Sequence, residues 1–164
     1  MSTAIHRRVE ACRAGKDPTC IARLASGWAV MGDRQVLPGY CLLLRDPVVP
    51  HLNAMPADEQ GAFLADVARL GQAVLEVTGA LRINYAMFGN LEPALHAHVF
   101  PRFETEAQEF KTAHPWGYDW SKARPFDSSV DGALLTALRE RLRNCRTSSP
   151  SDPSGAEHAV PRQT

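Results

Sequence analysis

The chain has 164 residues, which fits one ordinary domain with a sizeable hydrophobic core. Its 18 basic and 18 acidic residues cancel, so net charge gives no electrostatic reason to expect nucleic acid or a membrane as a partner. Hydrophobic residues make up 45% of the chain, but no apolar run approaches the roughly 20 residues that span a bilayer.

The N-terminal third predicts one short helix followed by strands and turns. Its turn signals are glycine- and proline-rich, and its strands are short apolar runs. The predicted elements are a helix over 5–14, a break at 15–18, strands over 20–24 and 28–31, turns at 32–35 and 38–39, and a central strand over 40–44.

The pattern of the cysteines indicates a reducing compartment. Cys12, Cys20, Cys41 and Cys145 are scattered and form no CxxC pair, which fits neither a disulfide framework nor a zinc finger. Cys12 and Cys20, eight residues apart, suit small apolar positions better than metal ligands. With no signal-peptide core at the start of the chain, the sequence predicts a cytoplasmic protein. It also predicts that the protein binds no metal or cofactor.

A long helix is predicted from Pro56 to Thr78. Pro56 suits the first helical position, Asp58 and Glu59 suit the positive end of the helix dipole, and Gly79 suits the C-terminal cap. The apolar stripe recurs at spacings of three and four, which is typical of a face turned to the core. Its members are Phe63, Val67, Leu70, Val74 and Val77.

Two strands follow, and the second carries the most informative motif of the chain. Residues two apart in a strand share a face, so His96 and His98 lie side by side, while Leu95, Ala97 and Val99 face the core. Imidazole is the side chain best able to act near neutral pH as nucleophile, base or proton donor. Strands, one long helix and further strands predict an α+β domain with a mostly antiparallel sheet.

Beyond residue 103 the character of the chain changes. Aromatic residues concentrate in 114–120. Tryptophan is compatible with covering a pocket, stacking a base or sealing a dimer contact, but we expect packing against the sheet edge. Residues 130–142 predict a helix. Ser, Pro, Gly and Asp dominate 145–164, so we expect one domain over 5–144 and a disordered tail.

The region around the histidines resembles the signature of the histidine triad (HIT) family, in which alternate histidines end a strand and Pro-Arg often follows. The strand over 83–90 and the Pro-Gly turn and strand over 36–44 resemble the corresponding family segments. The resemblance covers about 20–103, with 104–144 as an aromatic and helical extension. It implies a HIT-like fold, mostly antiparallel with one long helix and a C-terminal helical extension.

Anchoring the motif on Pro101 and Arg102 places the three family positions on Ala94, His96 and His98. The first histidine is therefore replaced by alanine, and the family nucleophile falls on His96. A second register would make His98 the nucleophile, but the anchor and the Asn90-x-x-Pro93 spacing both fit the first.

The resemblance implies a nucleotidyl-histidine intermediate that water or another acceptor breaks down, with His96 as nucleophile and His98 and Asn90 as donors to the phosphate. Asp33 falls where the family encloses the ribose, and Tyr40 where some relatives have a histidine. Arg102 suits either a phosphate or an acidic side chain. The predicted substrates are nucleotides such as dinucleoside polyphosphates.

Two other functions remain open from the sequence. Ala94 favours a nucleotide-binding protein with little or no catalysis, and His96 with His98 offers two ligands to a transition metal, without a convincing carboxylate. The resemblance also implies a homodimer, the commonest closed assembly of soluble proteins.

Overall fold

The computed structural model describes residues 2–144, so the predicted tail over 145–164 lies outside the described residues. The predicted α+β class is confirmed: an antiparallel sheet in the order β1-β2-β4-β6-β5 has helices on both faces. The helices are α1 (Ala4–Arg13), α2 (Ala57–Thr78) and α3 (Ser128–Asn144). The strands are β1 (Cys20–Arg23), β2 (Gly27–Met31), β3 (Arg34–Gln35), β4 (Cys41–Arg45), β5 (Arg82–Ala86), β6 (His96–Arg102) and β7 (Arg124–Pro125).

The long helix α2 packs along one face of the sheet. Four members of its predicted stripe are buried and Val77 is partly buried, which confirms the predicted core face. Pro56 is the N-terminal cap rather than the first helical residue, and Gly79 caps the C-terminus with φ +66°, where a residue with a side chain is strained. None of the helices within residues 2–144 is long and apolar enough to cross a membrane.

The sheet separates two hydrophobic clusters because successive strand residues point to opposite faces. On one face Leu43, Ala97 and Val99 pack with α2 and α3. On the other face Leu42 and Leu44 of β4 pack with α1, together with Phe100 of β6. The histidines of β6 alternate with Ala97 and therefore share the face that α1 partly covers.

The predicted turn over 32–35 includes a short strand that the sequence analysis missed. Residues Arg34 and Gln35 form β3, which pairs antiparallel with the two residues of β7. The pairing joins this turn to the chain just before α3, and Phe126 donates a backbone hydrogen bond to the carbonyl of Asp33 over 2.8 Å. Pairs this short carry no periodic signal, so only their long-range partner defines them.

Candidate active site

The two histidines of β6 lie on one face of the sheet, as the alternation of the strand predicts. His96 is opposite Leu44 and His98 opposite Leu42 in the pairing with β4. His96 is buried, with 6% of its surface exposed, and His98 is partly buried. The ring centroids are 4.8 Å apart in an edge arrangement, so one small ligand can contact both imidazoles.

The backbone of Ala94 orients the ring of His96. Nδ1 of His96 lies 2.8 Å from the carbonyl oxygen of Ala94. A carbonyl oxygen only accepts hydrogen bonds, so Nδ1 carries the proton and donates it. In the neutral ring Nε2 then holds an unshared electron pair, which is the form of imidazole that can act as a nucleophile.

A buried tyrosine orients His98. The hydroxyl of Tyr40 lies 2.6 Å from Nδ1 of His98. Burial, with a smaller effect from Asp33, raises the pKa of Tyr40, so its hydroxyl keeps its proton. Burial and the nearby His96 lower the pKa of His98 from its ordinary value of 6.5 to about 3, so the ring stays neutral. Tyr40 therefore donates to Nδ1, and Nε2 of His98 carries the remaining proton.

The neighbouring histidines are thus held as opposite tautomers. His96 presents an unprotonated Nε2, while His98 presents an N–H donor at the same ring position. A nucleophile beside a hydrogen-bond donor is the arrangement that attack on a phosphorus centre needs, because negative charge grows on the phosphoryl oxygens as the new bond forms.

The ring of Tyr40 is fixed by stacking and by a glycine. It stacks on Phe100 with 4.5 Å between centroids and meets Trp120 edge-on at 5.6 Å. A Cβ atom added to Gly32 would lie 2.2 Å from the Tyr40 ring, so only glycine leaves room for it. The position of the tyrosine hydroxyl against His98 therefore depends on residues far apart in the sequence.

Aromatic residues cover His98. Trp116, from the extension beyond residue 103, meets the His98 ring edge-on at 5.0 Å and Phe88 at 4.8 Å. Trp116 is 41% exposed, so this cover also faces solvent. The 114–120 segment lies against the histidine face: Tyr118 and Trp120 pack against the hydrophobic cluster there, and Trp116 contacts His98.

Arg102 lies on the histidine face toward the other end of β6 and is engaged by protein groups. Its guanidinium pairs with Glu106 at 2.8 Å, donates to the Asn84 amide oxygen at 2.8 Å, and also donates to two backbone carbonyls of the 110–113 loop. Burial opposes ionisation of Glu106, but hydrogen bonds from Arg102 and Tyr118 hold its pKa below the usual value. The sequence allowed either a phosphate or an acidic side chain as the partner of Arg102, and these contacts favour the acidic side chain.

Asn90 and Asp33 are not brought into contact with the histidines. Both are exposed, and neither side chain makes a hydrogen bond within residues 2–144. Asn90 lies in the loop that joins β5 to β6. Asp33 lies in the turn that ends at β3, on the side of Tyr40.

A cavity of about 350 Å³ opens beside His96. Two loops form it: the segment after β4, which carries His51 and Asn53, and the segment after β5, which carries Met87 and Phe88. His51 and Asn53 were not among the residues that the sequence predicts for the site. The backbone hydrogen bond from Leu95 to the carbonyl of Val49 brings their loop next to His96, and no local sequence pattern marks that pairing.

Within residues 2–144 no group of three or more histidine, cysteine or acidic side chains is arranged to hold a metal ion. Cys12 is buried and Cys20 partly buried, and both pack in the cluster under α1 with free thiols. Nδ1 of both His96 and His98 is already hydrogen bonded, which leaves one nitrogen of each ring for a ligand.

The sequence and the fold of this chain are similar to those of known proteins. The sequence model of the HIT domain family matches residues 19–105. A histidine triad protein from Bradyrhizobium japonicum superposes with a TM-score of 0.66, with 24% identity, 79% of this chain and 94% of that chain covered. A histidine triad protein from Marinobacter aquaeolei VT8 superposes with a TM-score of 0.68 at 18% identity, and the match covers 88% of this chain and 98% of that chain. A hypothetical histidine triad nucleotide-binding protein from Sulfolobus tokodaii superposes with a TM-score of 0.66 at 14% identity, and the match covers 84% of this chain and 92% of that chain.

These structures are all less than 25% identical to the chain, so they establish a common fold. The predicted HIT-like fold is confirmed. No curated protein sequence gives a significant match.

Proposed function

Since the chain belongs to the HIT domain family, we propose that it is a nucleotide hydrolase or nucleotidyl transferase that works through a covalent intermediate on His96. Its substrates are nucleotides with a phosphoanhydride or related bond, and dinucleoside polyphosphates are the first class to test. The protein from Sulfolobus tokodaii is described as nucleotide-binding, which supports the same ligand class here.

One observation carries the proposal: the hydrogen bond from Nδ1 of His96 to the Ala94 carbonyl. It leaves the electron pair of Nε2 free of a proton in the neutral ring, and His96 is one of the residues that line the cavity. Attack by Nε2 on the nucleotide phosphorus forms a P–N bond as the bond to the leaving group breaks. Water or another acceptor then breaks the P–N bond and restores the neutral imidazole.

His98 stabilises the transition state in this mechanism. Its Nε2–H donates to a phosphoryl oxygen, and a well-placed donor of this kind contributes about 3 kcal/mol. Tyr40 acts through His98 as a positioning residue, because its hydroxyl holds the donor tautomer. Asn90 is a further donor from its exposed loop, Asp33 a contact for the ribose, and Arg102 holds the 106–113 segment in place.

A second candidate function is nucleotide binding with little or no catalysis. It is favoured by Ala94, which supplies no imidazole at the first position of the motif, so one supporting donor is missing. The two candidates differ in whether a covalent nucleotide accumulates on the protein.

Rapid quenching with a nucleotide panel, followed by mass spectrometry of peptides, tests the proposal. We expect a nucleotide adduct on the peptide that contains His96, absent in His96→Ala and present in His6→Ala, which removes a distant histidine. Reversible nucleotide binding without adduct or turnover would favour the binding protein instead.

We also propose a cytoplasmic homodimer. β5 is one of the two edge strands of the five-stranded sheet, and its surroundings expose Leu81 (55%), Tyr85 (50%) and Leu91 (95%). An open strand edge beside exposed apolar side chains favours pairing with a second chain.

A further inference from the structure

Two free thiols meet where α1 leads into β1. Cys12 lies in the last turn of α1, and Cys20 is the first residue of β1. Both pack in the hydrophobic cluster under α1, where Cys12 is 3% exposed and Cys20 is partly buried. Their side chains lie within hydrogen-bonding reach of each other. The fold therefore brings together two thiols from different secondary-structure elements.

The segment between the two cysteines is organised around Asp17. The thiol of Cys12 lies 3.7 Å from Oδ2 of Asp17, and the backbone amide of Cys20 donates to the Asp17 carbonyl over 3.2 Å. Oδ1 of the same carboxylate accepts from the backbone amide and the hydroxyl of Thr19, at 2.9 and 2.6 Å. Arg8 of α1 donates to the Thr19 hydroxyl over 2.7 Å. These bonds hold the end of α1 against the start of β1 and keep the thiols close.

The two thiols differ in acidity. A hydrogen bond from the thiol of Cys12 lowers the pKa of Cys20. Burial and Asp17 oppose this effect, whereas the positive charges of Arg139 and Arg8 reinforce it. The same hydrogen bond, together with burial, raises the pKa of Cys12. Because the thiolate is the form of cysteine that oxidants attack, Cys20 is the reactive member of the pair and Cys12 is the second thiol.

Arg139 is fixed beside Cys20 from the opposite face of the sheet. Its guanidinium donates twice to the Cys20 carbonyl, at 3.1 and 2.6 Å. Cys41 provides a contrast, since it is fully buried in β4, burial raises its pKa, and its thiol donates to the Gly39 carbonyl over 3.2 Å. The environment that favours a thiolate is therefore found at Cys20 and is not shared by Cys41.

We propose that Cys12 and Cys20 are a peroxide-sensitive dithiol, which closes into a reversible disulfide that joins α1 to β1. The proposal is independent of the chemistry at His96. Disulfides in reducing compartments are mostly transient and redox-sensing, so the pair is reduced at rest and closes when a peroxide is present. A dithiol reductant reopens it.

The oxidation balances in two steps. The Cys20 thiolate attacks one oxygen of the peroxide, the O–O bond breaks, and the departing oxygen takes up a proton to leave as water or an alcohol. The Cys12 sulfur then attacks the sulfur of the Cys20 sulfenic acid, and the hydroxyl group leaves with the Cys12 proton as water. Two thiols and one peroxide thus give one disulfide, with the two sulfurs oxidised and the peroxide reduced.

Peptide mapping of the full-length protein tests the disulfide. The reduced protein is treated with one equivalent of hydrogen peroxide, its free thiols are alkylated, and it is digested with trypsin without reduction. Trypsin releases residues 9–13 and 17–23 as separate peptides with one cysteine each. We expect these peptides to be joined, dithiothreitol to separate them, and oxidation to be at least tenfold greater there than at Cys41. Equal oxidation of Cys41, or no joined peptide, would overturn the proposal.

Single variants test the order of the two steps. In Cys12→Ala the second thiol is missing, so we expect Cys20 to stop at the sulfenic acid, which dimedone labels on the peptide 17–23. In Cys20→Ala we expect at least tenfold less dimedone label on Cys12. Cys145→Ser is the matched control, which should give as much joined peptide as the wild type. Equal labelling of the two single variants would overturn the assignment of Cys20 as the reactive thiol.

Thermal unfolding tests whether the disulfide joins the two elements without strain. A disulfide between residues 12 and 20 restricts the unfolded chain, so we expect the oxidised protein to have a Tm about 5 °C above that of the reduced protein. Cys12→Ala, treated with the same peroxide, should show no rise. A Tm that falls on oxidation of the wild type would show that closure distorts the fold and would overturn the proposal.

Discussion

His96 donates its Nδ1 proton to the carbonyl oxygen of Ala94, two residues earlier in the chain, over 2.8 Å. Because a backbone carbonyl is present whatever side chain the residue carries, the alanine keeps the group that orients the imidazole. If position 94 is the first position of the motif, as we propose, its alanine leaves His96 in the tautomer with a free Nε2 and removes only a supporting side chain.

The alanine variants of the two histidines should differ in how much turnover they lose. His96→Ala removes the nucleophile, so turnover and adduct should both vanish while the fold survives. His98→Ala removes one donor to the phosphoryl group, and we expect kcat to fall by about 10- to 100-fold. Rates measured with folded, purified variants check the order. A dead His98→Ala with an active His96→Ala would move the nucleophile to His98.

Tyr40→Phe should affect catalysis through His98. The variant keeps the stacked ring but loses the donor to Nδ1, so the fixed tautomer of His98 is released. We expect kcat to fall about tenfold and unfolding free energy by about 1 kcal/mol. Nitrogen chemical shifts of His98 report the tautomer directly. Tyr118→Phe, which loses a hydroxyl contact to Glu106, is the control that costs stability without altering the His98 signals.

His98 should make the protein less stable in acid. Its pKa is about 3 in the folded protein and ordinarily 6.5, so between these values the unfolded chain binds more protons. Stability from His98 is complete above about pH 6.5 and is lost as the pH falls toward 3. Urea unfolding should show a loss of about 2 kcal/mol between pH 7 and pH 5 that is missing in His98→Gln. Parallel losses in both proteins would contradict this origin.

Arg102 should contribute more to the stability of the fold than to substrate binding. Arg102→Ala removes the only positive charge paired with Glu106 among the described residues, while Tyr118 still donates to this carboxylate, and we expect the free energy of unfolding to fall by about 3 kcal/mol. Lys111→Ala, which breaks the more exposed pair with Glu104, should cost less than about 1 kcal/mol. Chemical denaturation compares the two. A raised KM with unchanged stability in Arg102→Ala would instead assign this arginine to the phosphate.

The open edge of β5 should make the protein a dimer. Light scattering at micromolar concentration should give about twice the chain mass of 18.0 kDa. Tyr85→Lys places a charge beside the edge and should shift the protein toward the monomer. Val130→Lys, on the exposed side of α3, should leave the mass unchanged. A wild-type mass near 18.0 kDa would contradict the assembly.

The elements that the sequence predicted well are those with a local period. The stripe on α2 and the alternation around His96 and His98 each repeat within a few residues, so pattern alone places them. The bond from Tyr40 to His98 spans 58 residues and carries no such pattern. His51 lies in an irregular loop, where no repeating spacing marks it. The sequence favoured packing of Trp116 against the sheet edge, and its contact with His98 carries no local pattern either.

Part of the aromatic cover over His98 lies outside the residues that the family model matches. Trp116 reaches His98 from beyond residue 105, where the family match ends, whereas both histidines lie inside it. The proposed reactive histidines and the tryptophan that covers His98 are therefore encoded in separate stretches of the gene. An insertion, deletion or exchange within the later stretch can alter which molecules reach the imidazoles while the reactive strand stays intact. This arrangement gives the scaffold a route to new specificities that does not require mutating its histidines.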